Sequence, residues 1–249
     1  MIVVLCPTYG QPAAAAEMLH SFRETTHLLS TEIVLVVDRS DATLSDYLAL
    51  VPRFTEAASW SPLRPPDPPG LMVLDHDERA CLSMAFNAAA PRVWDDDCII
   101  GMVGNDHRFL TPGWDERVTA ALERPGVAYG DDGIFGEKLA TAGFISSVIP
   151  RTLGWLALPA SRHYGIDDAW TDIGRDIGAL HYLPDVKISH ESVRSKRVRH
   201  RIDMDRAYWR AQAGRKTDAD AYYAWRDGGQ RVADVARVLT VIGAGVVSA

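Results

Sequence analysis

The run Ile2-Val3-Val4-Leu5-Cys6, closed by Pro7, constrains this chain more than any other feature. A strand with one wet face alternates apolar and polar residues, whereas an unbroken, largely β-branched run belongs to a strand buried on both faces. The same signature returns at Ile33 to Val37, Leu71 to Leu74 and Cys98 to Val103. Between the first two runs, Pro12 suits the first turn of a helix and Ala13 to Phe22 supplies good helix formers. Ala80 to Ala90 reads as a helix before the fourth run. Strands that alternate with helices in this way predict an α/β fold, with a mostly parallel sheet flanked by helices.

The proline-rich stretch from Ser61 to Gly70 suits neither a helix nor a central strand and reads as a stiff surface insertion. The second half changes character. Val127 to Trp155 is rich in glycine and aromatics, Asp167 to Ile177 reads as a helix, and short strands are expected near His181 and Val186. Ser192 to Lys216 is strongly basic, and Asp218 to Leu239 reads as a helix carrying Tyr222-Tyr223-Ala224-Trp225. The expected organisation is a main α/β domain over 1–192, with a basic and helical extension over 193–249 packing on the same domain.

A length of 249 residues allows a full core, and a formal net charge of −7 lacks the overall basic imprint of nucleic-acid or anionic-membrane binding. Cys6, Cys81 and Cys98 are odd in number, have no metal-site spacing and lie in apolar contexts, which points to buried free thiols in a reducing compartment. The N-terminus has no basic leader, and the apolar run from Val238 to Ala249 falls short of the roughly 20 residues that span a membrane. These features predict a cytoplasmic protein.

Ligands of open parallel α/β sheets bind beyond the carboxyl ends of the strands, where loops converge and helix N-termini point inward. Pro7-Thr8-Tyr9, Asp38, Asp75-His76-Asp77 and Gly104-Asn105-Asp106-His107 fall there. No G-x-G-x-x-G follows the first strand and no P-loop occurs, so a bound diphosphate needs another counter-charge. A hard divalent cation held by carboxylate, amide and imidazole would supply it, with Asp106 as the leading ligand.

Ile2 to Tyr9 resembles the opening strand of family-2-like GT-A glycosyltransferases, and Val36-Val37-Asp38-Arg39-Ser40-Asp41 resembles their second-strand "DDGS" region. Met102 to Phe109 falls where these enzymes carry the metal-binding DxD motif. The resemblance spans roughly residues 1 to 192, and Phe109-Leu110-Thr111-Pro112-Gly113-Trp114-Asp115 is similar to a subset encoded by phages and actinobacteria. It implies a GT-A fold in which Pro7, Thr8 and Tyr9 line the base pocket and Asp38 bonds base or ribose. Asn105 would assist in donor binding, and Asp106 with the late His190 would hold Mn²⁺ or Mg²⁺. Gly104 departs from the pattern by occupying the first acidic position of DxD. Either one carboxylate then suffices beside Asn105, or metal binding is weak. Asp167-Asp168 matches the "ED" motif of inverting members, which implies Asp168 as the base with Asp172 in reserve. Two carboxylates at a helix start also serve as caps. Asp131 and Asp132 fall where such enzymes meet the acceptor, although aspartates in a Gly-rich loop are commonly just solvated. His107 and Trp114 are expected to be structural, and one or two residues of Arg194 to Arg201 to meet phosphate.

The implied activity is transfer of a hexose, with UDP-glucose as donor, to a hydroxyl of a macromolecule, either a protein of a phage particle or hydroxymethylated DNA. Two other classes stay open: a non-catalytic sugar-nucleotide or carbohydrate-binding module, which Gly104 favours, and a nucleotidyltransferase, which would release pyrophosphate instead of a nucleoside diphosphate. Assembly into a homo-oligomer is also open.

Overall fold

The apolar runs form the middle of a single eight-stranded sheet in a computed structural model that describes residues 1–55, 70–75, 80–94, 98–191 and 206–247. The stretch 61–69, His76, Asp77 and the basic run 194–201 lie outside the described residues. In chain order the first half comprises β1 (Ile2–Thr8), α1 (Pro12–Thr25), β2 (Thr31–Asp38), α2 (Leu44–Thr55), β3 (Leu71–Leu74), α3 (Leu82–Ala89), β4 (Ile99–Met102) and β5 (His107–Phe109). The second half comprises α4 (Trp114–Ala121), β6 (Val127–Asp131), β7 (Phe144–Ser146), α5 (Val148–Leu153), α6 (Ile166–Asp176), β8 (Leu180–His190), α7 (Arg206–Asp227) and α8 (Gln230–Val247).

The strand order is β3-β2-β1-β4-β7-β6-β8-β5. Its first four strands are mutually parallel, as the buried runs predict. β7 is antiparallel to both β4 and β6, β8 is parallel to β6, and β5 is antiparallel to β8. Alternation along β1 explains why its run has no polar position. Ile2, Val4 and Cys6 pack with Met18 and Phe22 of α1 and Trp114 of α4, while Val3 and Leu5 pack on the other face with Phe86 of α3, Ile149 of α5 and Trp170 of α6. Each such side chain gains roughly 1.5–3 kcal/mol on leaving water, so a one-residue slip of register would be costly.

Three local readings change. The two short strands near His181 and Val186 are one strand, β8, whose pairing to β6 is shifted by an irregularity between Gly130 and Asp131. The helix expected from Asp218 to Leu239 is two helices. A side chain at Gly228 would lie 2.3 Å from the Ala224 carbonyl, and Gly229 has φ +86°, so the chain turns between α7 and α8. Cys81 is only partly buried, while Cys6 and Cys98 are buried, and all three thiols are free.

The two C-terminal helices pack on the sheet's helical layer. Trp225 and Val238 enter the same core as Trp155 and Trp170. The fully buried Asp218 of α7 accepts the backbone N–H groups of Arg162, His163 and Tyr164 at 2.8–2.9 Å, which fixes the approach to α6. Among the described residues no helix is long and apolar enough to cross a membrane.

Candidate active site

Parallel strands deliver their carboxyl ends to one edge, and the polar residues that follow them gather there. β1 ends at Thr8, β2 at Asp38, β6 at Asp131 and β8 at His190, and the turn Gly104 to Asp106 follows β4. α6 starts at the same edge, with Asp167 and Asp168 in its first turn.

The centre of this edge is Asp106. The β5–β8 ladder pairs His107 with His190, and Glu191 N–H bonds the Asp106 carbonyl at 2.8 Å, so residues 84 apart in sequence become neighbours. His190 Nε2 lies 3.0 Å from Asp106 Oδ2, and His107 Nδ1 lies 3.3 Å from Asp106 Oδ1. Desolvation alone would raise the Asp106 carboxyl, but the adjoining imidazoles outweigh it and hold the group well below the usual carboxylate range. Burial acts to lower His190, and the Asp106 hydrogen bond with the charges of Asp106, Asp167 and Asp132 raises it instead.

Gly104 takes part in this geometry. Its N–H donates to His107 Nδ1 at 3.0 Å, and a Cβ built on it would stand 2.5 Å from Asp106 Oδ1. The absence of a side chain at Gly104 therefore leaves the space into which Asp106 folds. Arg108 holds the turn from beneath, donating to the carbonyls of Asn105 and His107 at 2.9 and 2.8 Å and pairing with Glu17.

The residues fit a divalent cation. Asp106, His107 and His190 offer donor atoms within 4.8 Å of one another. Two ligands at right angles and about 2.1 Å from an ion stand about 3 Å apart, matching the 3.0 Å between Asp106 Oδ2 and His190 Nε2. His107 is a poorer third ligand. Its ring stacks on that of His190 with centroids 4.5 Å apart and planes only 16° apart, and two near-parallel imidazoles cannot aim in-plane lone pairs at one ion. The Asp106 side chain is 44 % exposed, which leaves it open to incoming ligands.

Asn105 is held by a directed relay. Gln11 N–H donates to the Tyr47 hydroxyl at 2.8 Å, Tyr47 lies 3.0 Å from Thr8 Oγ1, and Asn105 Nδ2 donates to Thr8 Oγ1 at 2.9 Å and Gln11 Oε1 at 3.0 Å. With its amino group spent on protein, Asn105 presents its carbonyl oxygen. Pro7 lies in β1 beside this relay, and the Tyr9 hydroxyl donates to the Ser40 carbonyl at 3.3 Å. Asp38 accepts Ser40 N–H at 2.9 Å through one oxygen and Ala80 N–H at 3.0 Å through the other, so it braces two loops as well as facing the edge. Arg39 pairs with Asp75 at 2.6 Å.

The carboxylates of α6 divide between two environments. Asp167 is raised to about 7, chiefly by burial, against a lowering by His190 and with the charges of Asp168 and Asp132 adding to it. Asp168 is raised by burial and by Asp172, so its coupling is to the C-terminal side. Asp172, the reserve base of the sequence reading, has its Oδ2 bound by Arg231 at 3.0 Å and by the Tyr222 hydroxyl at 2.7 Å. That pair fastens α6 to α7 and α8. Asp131 takes Gly133 N–H at 3.0 Å, and Asp132 Oδ1 takes the N–H groups of Ile134, Phe135 and Gly136 at 2.7–3.1 Å.

The tryptophan and aspartate of the Pro-Gly-Trp-Asp string are structural. Trp114 is fully buried against Phe109 and Phe144, and the fully buried Asp115 accepts His27 N–H, Leu28 N–H and the Thr31 hydroxyl. The positions at this edge that sequence reasoning did not single out are Tyr47 and Arg108. Asp167 carried a signal, as half of the Asp-Asp pair, but nothing in the sequence said which half faces the edge.

A mostly parallel, two-faced sheet with Asp106 and His190 meeting at its carboxyl edge defines a GT-A-like α/β fold. No protein-family model and no curated protein matches the chain, but solved structures do. The chain is similar to the mannosyltransferase PcManGT from Pyrobaculum calidifontis, solved with GDP-Man and Mn²⁺, at 14% identity and a TM-score of 0.55 over 98% of this chain and 75% of that one. It is also similar to glucosyl-3-phosphoglycerate synthase from Mycobacterium tuberculosis, solved with Mn²⁺, UDP and phosphoglyceric acid, at 14% identity and a TM-score of 0.51 over 77% of this chain and 71% of that one. S. aureus TarS 1-349 with UDP matches at 14% identity and a TM-score of 0.55, over 75% of this chain and 59% of that one.

Proposed function

We propose that this protein is a metal-dependent, inverting glycosyltransferase that uses a nucleotide-diphosphate sugar. The observation that carries the reading is the 3.0 Å approach of Asp106 and His190 at the carboxyl edge of a GT-A-like sheet, with the oriented Asn105 beside them. Solved proteins of similar fold hold GDP-Man or UDP, two of them with Mn²⁺, which supports the donor class. Asp106 and His190 would hold Mn²⁺ or Mg²⁺, with the Asn105 carbonyl oxygen available beside them. The bound cation supplies positive charge to the departing diphosphate.

The chain's own groups account for the rest. Thr8 and Asn105, immobilised through Tyr47 and Gln11, offer a preorganised polar surface for the nucleotide, and Pro7, Tyr9 and Asp38 border it. Asp167 takes the proton of the acceptor hydroxyl as that oxygen bonds the anomeric carbon and the bond to the diphosphate oxygen breaks on the opposite face. Asp167 is favoured over Asp168 because its environment is that of His190 and Asp132, and a carboxyl raised to about 7 is a competent base at neutral pH. UDP-glucose is the donor to try first. The acceptor is a hydroxyl on a macromolecule, either protein or hydroxymethylated DNA.

A thermal-shift panel of UDP-, GDP-, CDP- and dTDP-sugars, with and without Mn²⁺, on wild type and Asp106→Ala tests the donor site. Metal-dependent stabilisation by one nucleotide class, lost in the variant, is expected. No shift with any of them would favour the non-catalytic module.

A further inference from the structure

The buried polar atoms at this edge that have no partner among the described residues include His190 Nδ1 and Asp132 Oδ2. One is a potential donor and the other an acceptor, and leaving both unpaired costs about 1–3 kcal/mol each. Backbone geometry makes them neighbours, because His190 N–H donates to the Asp132 carbonyl at 3.2 Å. Asp132 is 3 % exposed, and its Oδ1 is saturated by three backbone N–H groups of residues 134 to 136. That fixed cap holds Oδ2 in place. Asp132 is also not among the residues whose donor atoms cluster with Asp106.

We propose that Asp132 is a positioning residue that accepts the Nδ1–H of His190 across one buried water, and thereby commits Nε2 to face Asp106. A histidine whose rear nitrogen is tied to a carboxylate has its tautomer and ring angle fixed and its front nitrogen made more basic. This role differs from the acceptor contact expected from the sequence, and it explains why a carboxylate is used where a capping asparagine would suffice for the loop.

Asp132→Asn is the discriminating variant. Its amide oxygen keeps the cap, because three N–H groups reject an NH₂ there, and its amino group replaces the Oδ2 acceptor with a donor. In metal-free, ¹⁵N-histidine-labelled wild type, a protected Nδ1–H resonance that vanishes in His190→Gln is expected, and it should also be absent from Asp132→Asn. Mn²⁺ affinity by calorimetry should fall about 10- to 100-fold in Asp132→Asn. A wild type without the protected resonance overturns the proposal, as does an Asp132→Asn protein that keeps both resonance and affinity. The calorimetric arm rests on the metal site of the proposed function, whereas the resonance does not. A wild type that shows the resonance but binds no Mn²⁺ would remove that function and leave the pairing standing.

Discussion

Replacing Gly104 separates two explanations of the missing acid. If the position has merely lost a ligand, Gly104→Asp should restore one and tighten Mn²⁺ binding. The geometry predicts the opposite. A Cβ at 104 forces Asp106 Oδ1 to retreat from 2.5 Å to at least 3.4 Å, an ordinary contact, and the carboxylate that moves is the one poised 3.0 Å from His190 Nε2. Misaligning one ligand of a small site costs about 10- to 100-fold in affinity, or about 1.4–2.8 kcal/mol. Both Gly104→Ala and Gly104→Asp are therefore expected to weaken Mn²⁺ by that factor in calorimetry. Stability should move the other way for the alanine variant. Gly104 is not among the positive-φ residues, and the obstructing carboxylate is partly exposed and free to yield. Loss of unfolded-state freedom then stabilises by about 0.4–1 kcal/mol. Urea denaturation in EDTA would show a midpoint unchanged or raised. A Gly104→Asp protein that binds Mn²⁺ more tightly than wild type would refute the reasoning.

Asp167→Asn is expected to lower turnover about 10²- to 10⁴-fold, with Asp168→Asn milder, measured as release of nucleoside diphosphate. In wild type the rate should rise with pH through a limb at or below about 7, as Asp167 ionises. The same group affects stability with a definite sign. Its folded value is raised, so its contribution is fully present below the unfolded carboxylate range and is lost as pH rises toward about 7, and Asp167→Asn should flatten that decline in metal-free denaturation curves. Tyr47→Phe strands Gln11 N–H and removes a partner of Thr8 Oγ1, the two residues that hold Asn105, so a loss of about 1–2 kcal/mol should accompany weaker nucleotide stabilisation in thermal shift. Asp218→Ala removes the acceptor of three backbone N–H groups and should cost about 2–4 kcal/mol by denaturant titration.

The legibility of the site followed the range of the interactions. The placement of Thr8, Asp38 and Asp106 was readable because Thr8 and Asp38 end apolar strands and Asp106 follows one, and a parallel sheet sends all strand ends to one edge. The partners of Asp172 were not legible because helix position alone does not say which residue faces Arg231 and Tyr222, both contributed by the C-terminal helices. His107 sits next to Asp106 in sequence, yet its ring is turned by Gly104 N–H and by stacking on His190, contacts that no local pattern encodes.

Hydrophobic periodicity by itself determined the doubly covered sheet, because an unbroken apolar run has no stable place except between two layers. It also determined which edge carries polar chemistry. Only the tertiary structure decided that β8 is one strand, that it brings His190 to Asp106, and that a side chain at Gly104 would crowd Asp106 Oδ1. The physical reason is that a strand's burial is written in its own residues. The partner of a carboxylate is set by chain segments that are distant in sequence and adjacent only after folding.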